Sequence, residues 1–173
     1  ARGMEDAGLV ATYKHFPGLG RVTDNTDTVA GVTDAVTTRS GDPAVSVFAD
    51  AITGGARVIM VSSATYSLID PSAPAVFSST IVTDMLRTQM GFSGVVITDD
   101  VSAAVQVQDV SAGDRAVRAI RAGCDLVLAS ADPTVAADMV KALIATARSD
   151  PAFAARVDES ATRVLNLKKS LQS

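Results

Sequence analysis

Four short apolar runs, each entered through a glycine and left through polar residues, give this chain a repeating pattern. They are Leu9-Val10-Ala11-Thr12-Tyr13 after Gly8, Val58-Ile59-Met60-Val61 after Gly55, Val95-Val96-Ile97 after Gly94, and Leu126-Val127-Leu128-Ala129 after Gly123. Unbroken rather than alternating hydrophobicity predicts strands covered on both faces, hence a parallel sheet with right-handed helical crossovers.

The segments between the runs carry helix signals. Asp42-Pro43, Asp132-Pro133 and Asp150-Pro151 each put an N-cap acceptor before a proline whose missing N–H costs nothing in a first turn. After Asp42, apolar Ala44, Val47, Phe48, Ala51 and Ile52 recur at helical spacing, as do Val135, Met139, Val140, Leu143 and Ile144 after Asp132. Ser111 with Asp114 reads as a capping box for a helix closed by Gly123, and Ser78 or Ser79 opens another closed by Gly91. A first helix over 1–7 and a last one over roughly 151–171, ending in Lys168-Lys169, complete the alternation. The connections after the first two runs are long, as functional or mobile loops often are.

In parallel α/β folds, ligands bind beyond the carboxyl ends of the strands. The residues that follow each run, Lys14, His15, Ser62, Ser63, Asp99, Asp100 and Ser130, are therefore expected to share one rim. Asp99 and Asp100 are neighbours on an extended chain, so their side chains point in opposite directions. One faces a ligand and the other braces a loop or a helix start. Lys14-His15 precedes the turn Phe16-Pro17-Gly18-Leu19-Gly20, where a rigid strand hands polar groups to a loop. A Lys-His pair facing a carboxylate suits a polyhydroxylated ligand.

Composition narrows the classes. The chain has 173 residues, 47% of them hydrophobic, enough for one well-buried domain. A net charge of −4 with interspersed signs offers no basic stripe, which disfavours nucleic acid as a partner. No apolar stretch approaches the ~20 residues that cross a bilayer, so no membrane span is expected. One histidine and one cysteine, Cys124, disfavour a metal site and an internal disulfide. Cys124 reads as a small buried residue at a strand start. Tryptophan is absent, so hydrogen bonds must dominate any sugar recognition. Gly18-Leu19-Gly20 lacks the third glycine of a dinucleotide fingerprint.

Taken together, Lys14-His15-Phe16-Pro17-Gly18-x-Gly20 and Gly91-Phe92-Ser93-Gly94-Val95-Val96-Ile97-Thr98-Asp99-Asp100 closely resemble bacterial β-N-acetylglucosaminidases of glycoside hydrolase family 3. The resemblance runs through essentially the whole chain, including Ala122-Gly123-Cys124-Asp125-Leu126-Val127-Leu128. It implies an α/β fold, the (βα)8 TIM barrel, of which residues 1–173 supply the second half, strands five to eight. Such barrels need about 250 residues, so an N-terminal half is an implied partner. The implied reaction is retaining hydrolysis of terminal β-linked N-acetylglucosamine, with peptidoglycan fragments (muropeptides) as substrate and no metal or organic cofactor. Asp99 is the implied nucleophile, Lys14 and His15 bind sugar hydroxyls, and Ser62 is a further rim contact.

The family's Asp-x-His acid/base dyad aligns with Asn25-Thr26-Asp27, which keeps neither member, and Leu19 stands where the motif's second histidine is usual. Asp27, or Asp24 in a shifted register, is left as the proton donor. An excess of arginine over lysine with abundant Ala and Val points to a GC-rich bacterium, and the resemblance implies a place in its cell envelope (as a lipoprotein) or its cytoplasm. Two other readings stay open. One is a small flavodoxin-like domain whose Asp99-Asp100 pair holds Mg2+ for phosphoryl transfer, and whose activity a chelator would abolish. The other is a half-barrel that binds sugars without catalysis.

Overall fold

A computed structural model describes residues 1–171. The four apolar runs form one parallel sheet in the order β1 (Thr12–Phe16), β3 (Val58–Val61), β6 (Val95–Asp100), β7 (Leu126–Leu128). Strand order follows chain order, so winding never reverses. A flavodoxin-like sheet reverses direction after its first strand and carries its site at that switch, so its topology is not the one seen here.

The crossovers are helical. Pro43–Thr53 (α2) lies between β1 and β3, a π-helix over Thr80–Gln89 between β3 and β6, and Ala112–Ala122 (α3) between β6 and β7. Ala136–Ser149 (α4) and Pro151–Lys169 (α5) follow, and a short α1, Arg2–Asp6, precedes β1. Asp42 caps α2 by accepting the Ala44 N–H, and Asp150 caps α5 by accepting those of Ala152 and Phe153. Asp132 opens a 3-10 turn over Pro133–Val135 before α4 begins. Ser111 Oγ accepts the Asp114 N–H, and α3 ends at Gly123, whose φ of 119° is left-handed. A Cβ there would also lie 2.6 Å from Thr83 Oγ1.

Right-handed crossovers in chain order put the helices on one face of the sheet. Ile59, Val61 and Val96 are wholly buried on that side with Phe16, Phe48, Ile81, Val82, Met85 and Leu86. Their alternate neighbours Met60 and Ile97 are only half-buried, and Leu126 is exposed. Val58 and Val95 on that same face are buried, so it is covered at the start of the strands and partly open further along, while the first face is packed throughout. β1 also lies further along than its apolar run. Leu9 is exposed, the pairing with β3 starts at Thr12, and Lys14 and His15 are inside the strand.

The two long loops meet in a second small sheet of β2 (Thr33–Asp34), β4 (Thr65–Tyr66) and β5 (Asp70–Pro74). Cys124 is buried beneath β7, and burial pushes its thiol up to about 12. Among the described residues, no helix is long and apolar enough to cross a membrane.

Candidate active site

Parallel pairing, with a one-residue register shift between Tyr13 and Phe16 that sets Phe16 opposite Val61, and with Val61 opposite Thr98, brings the carboxyl ends of β1, β3 and β6 level. His15 and Asp99, two strands apart, meet across the end of β3, with Nε2 to Oδ1 at 3.9 Å. That is beyond hydrogen-bond length. Both side chains are largely covered, at 23% and 15% exposure. Lys14 is exposed beside them, and the peptide bonds Lys14-His15 and Phe16-Pro17 are cis.

Burial raises the Asp99 carboxyl above the usual range, opposed by His15 and by the Asp100 N–H, which donates to Asp99 Oδ1 at 2.9 Å. The Asp27 charge raises it further and that of Lys14 lowers it. Burial lowers the His15 imidazole, opposed chiefly by Asp99. The pair is held toward its neutral forms, a carboxylate costly to ionise beside an imidazole costly to protonate.

Asp100 shows the contrary state. Its Oδ1 accepts from Ser102 N, Ser102 Oγ and Ala103 N, and its Oδ2 from Ser130 N, Ser130 Oγ and Ala131 N. Burial would raise this carboxyl, but the donors of Ala131, Ser102, Ser130 and Ala103 together hold it well below the carboxylate range. It is the bracing member of the pair, tying the loop after β6 to the loop after β7. With each oxygen taken by three donors, it has no lone pair for Mg2+, which removes the paired-carboxylate basis of the phosphoryl-transfer reading. Among the described residues, no group of three or more His, Cys, Asp and Glu could hold a metal ion.

Asp24 and Asp27 are both exposed on the loop after β1. Among the described residues, Asp27 is the carboxylate of that loop whose charge acts on both His15 and Asp99. Its backbone is fixed from both sides, its N–H donating to Asn25 Oδ1 at 2.9 Å and its C=O accepting the Val105 N–H at 3.2 Å.

Ser62 is wholly buried, and its Oγ accepts the Ala64 N–H at 3.0 Å and pairs with the Tyr66 hydroxyl. Tyr66 in turn donates to the Gly18 C=O at 3.1 Å. Lying below the rim, the Ser62 hydroxyl shapes the turn after β1 and exposes nothing to a ligand. Gly18 is required in that turn: its φ is 131°, and a Cβ would stand 2.8 Å from the Ala44 Cβ at the start of α2. Ser63, next on the chain, has a buried hydroxyl without a hydrogen-bond partner.

Sequence reading did not find Gln106, which holds the loop after β1 from a turn after β6. A single amide between valines carries no spacing or charge signal.

The sequence pattern of the Glycosyl hydrolase family 3 N terminal domain matches residues 1–167. The chain is 41% identical over 131 residues to a beta-hexosaminidase of Psychromonas ingrahamii, covering 75% of this chain and 39% of that protein. It is 33% identical over 170 residues to an uncharacterized secreted glycosyl hydrolase of Arthroderma benhamiae, covering 96% and 48%. Among solved structures, a beta-N-acetylhexosaminidase from Beutenbergia cavernae matches with a TM-score of 0.95 at 59% identity, over 96% of this chain and 49% of that one. A glycoside hydrolase family 3 beta-N-acetylglucosaminidase from a Paenibacillus species matches with a TM-score of 0.89 at 30% identity, over 99% and 33%. The chain thus spans half or less of the length of these relatives. With the family pattern filling nearly all of it, the chain belongs to glycosyl hydrolase family 3.

Proposed function

We propose that this chain is the second half, strands five to eight, of a (βα)8 barrel, and that it carries the nucleophile of a retaining β-N-acetylglucosaminidase. The observation that carries the reading is the 3.9 Å approach of His15 Nε2 to Asp99 Oδ1 at the carboxyl rim of a sequentially wound parallel sheet. The sheet supports the barrel because β1 and β7 end it as unpaired edges and its inner face is partly open. An N-terminal half carrying four more strands would pair both edges and cover that face.

In this reading Asp99 attacks the anomeric carbon of a terminal β-linked N-acetylglucosamine. The glycosidic C–O bond breaks as the Asp99 ester forms, and Asp27 gives its proton to the leaving oxygen. Asp27, now ionised, takes a proton from water, which attacks the same carbon and frees Asp99. Asp99 must be ionised to attack, and with His15 neutral it is the Asp100 N–H and the Lys14 charge that favour that form against burial. Lys14 and His15 hydrogen-bond sugar hydroxyls, with His15 neutral because burial disfavours its cation. Ser62 acts through the turn it supports instead of touching sugar. The substrate class is peptidoglycan fragments with an exposed terminal N-acetylglucosamine, met in a bacterial cell envelope or in the cytoplasm where such fragments are recycled.

Proton NMR of a muropeptide digest by the complete protein tests the reaction. The β anomer of N-acetylglucosamine is expected to form first and then mutarotate. First appearance of the α anomer overturns the double displacement, and release of no sugar at all favours a half-barrel that only binds.

A further inference from the structure

Resting on the glycosidase reading above, we infer that Gln106 is a positioning residue whose amide clamps the loop 26–32 and so sets where the Asp27 carboxyl stands over Asp99. Gln106 is buried in a 3-10 turn, Val105–Val107, on the segment that leaves β6 just after Asp99. Its Oε1 accepts the Val32 N–H at 2.8 Å, and its Nε2 donates to the Val32 C=O at 3.2 Å. One side chain thus bonds both backbone groups of a residue 74 positions away, its bond to the Val32 C=O being shared with the Thr65 N–H at 3.0 Å. At the other end of the loop, the Gln106 N–H donates to the Thr26 C=O at 3.1 Å and the Val105 N–H to the Asp27 C=O at 3.2 Å.

Both ends of the segment that carries Asp27 are therefore referenced to the piece of chain that carries Asp99. That piece is itself braced. Arg115 Nη1 donates to the carbonyls of Val101 and Ser102 at 2.5 and 2.8 Å, and Asp100 holds Ser102 and Ala103. Carboxyl spacing makes this consequential: double displacement needs the two groups about 5 to 5.5 Å apart, and about 6.5 Å or more leaves room for a water between them. A loop drifting by little more than an ångström would deprive the leaving oxygen of its proton. The primary amide suits the task because it offers a donor and an acceptor side by side. Glutamate in its place can accept from Val32 but not donate to it, and methionine can do neither well.

The test uses Gln106→Met and Gln106→Glu in the complete protein, with two N-acetyl-β-glucosaminides as substrates. One bears a sugar leaving group that needs protonation, and the other a dinitrophenolate that does not. For Gln106→Met, kcat/KM on the first is expected to fall at least tenfold and on the second by less than threefold. Gln106→Glu should lie between Gln106→Met and the unchanged protein, and the double variant with Asp27→Asn should be no slower than Asp27→Asn alone. Equal losses on the two substrates, or additive losses in the double variant, would show that Gln106 only supports the fold and overturn the inference. Hydrogen exchange at the Val32 amide separates this failure from failure of the glycosidase reading. The clamp requires exchange at least tenfold faster in Gln106→Met, or in Gln106→Glu if the methionine variant does not fold, and unchanged exchange sinks it even where hydrolysis is normal. If the unaltered protein hydrolyses neither substrate, the glycosidase reading fails and takes the positioning role with it.

Discussion

Two aspartates at opposite ends of the parallel sheet live in opposed environments. Asp125, where the chain enters β7, is wholly buried and ringed by Arg87, Arg156 and Arg163 at 2.5, 2.8 and 3.3 Å, with the Val96 N–H as a further donor. Asp99, where β6 ends, receives one backbone N–H and faces an imidazole beyond hydrogen-bond reach. At the first end every lone pair finds a donor and the charge fastens α5 and the π-helix to the sheet. At the second, burial raises a carboxyl that few groups stabilise. One end of the sheet is built for cohesion, and the other leaves a largely covered carboxyl with a single backbone donor.

The sharpest way to break this contrast is to neutralise each carboxylate. Asp99→Asn is expected to lower kcat by roughly 10⁴-fold or more, about 5.5 kcal/mol of barrier, while its Tm stays equal or rises. The sign follows from the raised folded pKa: such a group favours folding only below its unfolded pKa, and that contribution is lost as pH rises through the folded value. At neutral pH the ionised Asp99 therefore costs stability, and thermal scans of the two proteins at pH 7 check it. Asp125→Ala should do the reverse, costing about 3 to 5 kcal/mol in urea denaturation by stranding three buried or half-buried guanidinium groups.

Smaller effects sharpen the picture. Asp27→Asn should slow hydrolysis of an unactivated glycoside by about 100-fold and barely change that of an activated one. Asp100→Asn should lose about 2 kcal/mol of stability, because an amide cannot accept from all six donors that its two oxygens now engage. Its folded pKa is depressed, so this contribution is present above the unfolded value near 3.9 and fades as pH drops below about 4. Urea midpoints at pH 7 and pH 3 should therefore differ less in Asp100→Asn than in the unaltered protein. Asp24→Asn should leave turnover within about twofold, and a loss as large as that of Asp27→Asn would shift the proton donor to Asp24.

Much of this was legible from the chain alone. Buried strands and Asp-Pro helix starts speak through local chemistry, and Asp42 and Asp150 cap as their sequences predict. The opposed surroundings of Asp99 and Asp100 follow from strand alternation. Apolar runs misled at β1, since Lys14 and His15 are strand residues that hydrophobicity excludes. The small sheet of β2, β4 and β5 was illegible because Thr33-Asp34 and Asp70-Pro71-Ser72 carry no apolar run, and its pairing arises from loop meeting loop. The winding of the π-helix was hidden too, as apolar spacing marks a helix without fixing its pitch. The three arginines around Asp125 come from two helices and have no common spacing. Ser62 read as a rim residue because position along a strand does not reveal depth.

The central claim is that Asp99 becomes bonded to sugar. Incubating the complete protein with a ring-fluorinated N-acetylglucosaminide bearing a good leaving group should slow breakdown of the glycosyl ester enough for peptide mapping by mass spectrometry. A single adduct on the peptide containing Asp99, absent from Asp99→Asn, is the predicted result. Turnover without any adduct, or an adduct on another residue, would contradict the account.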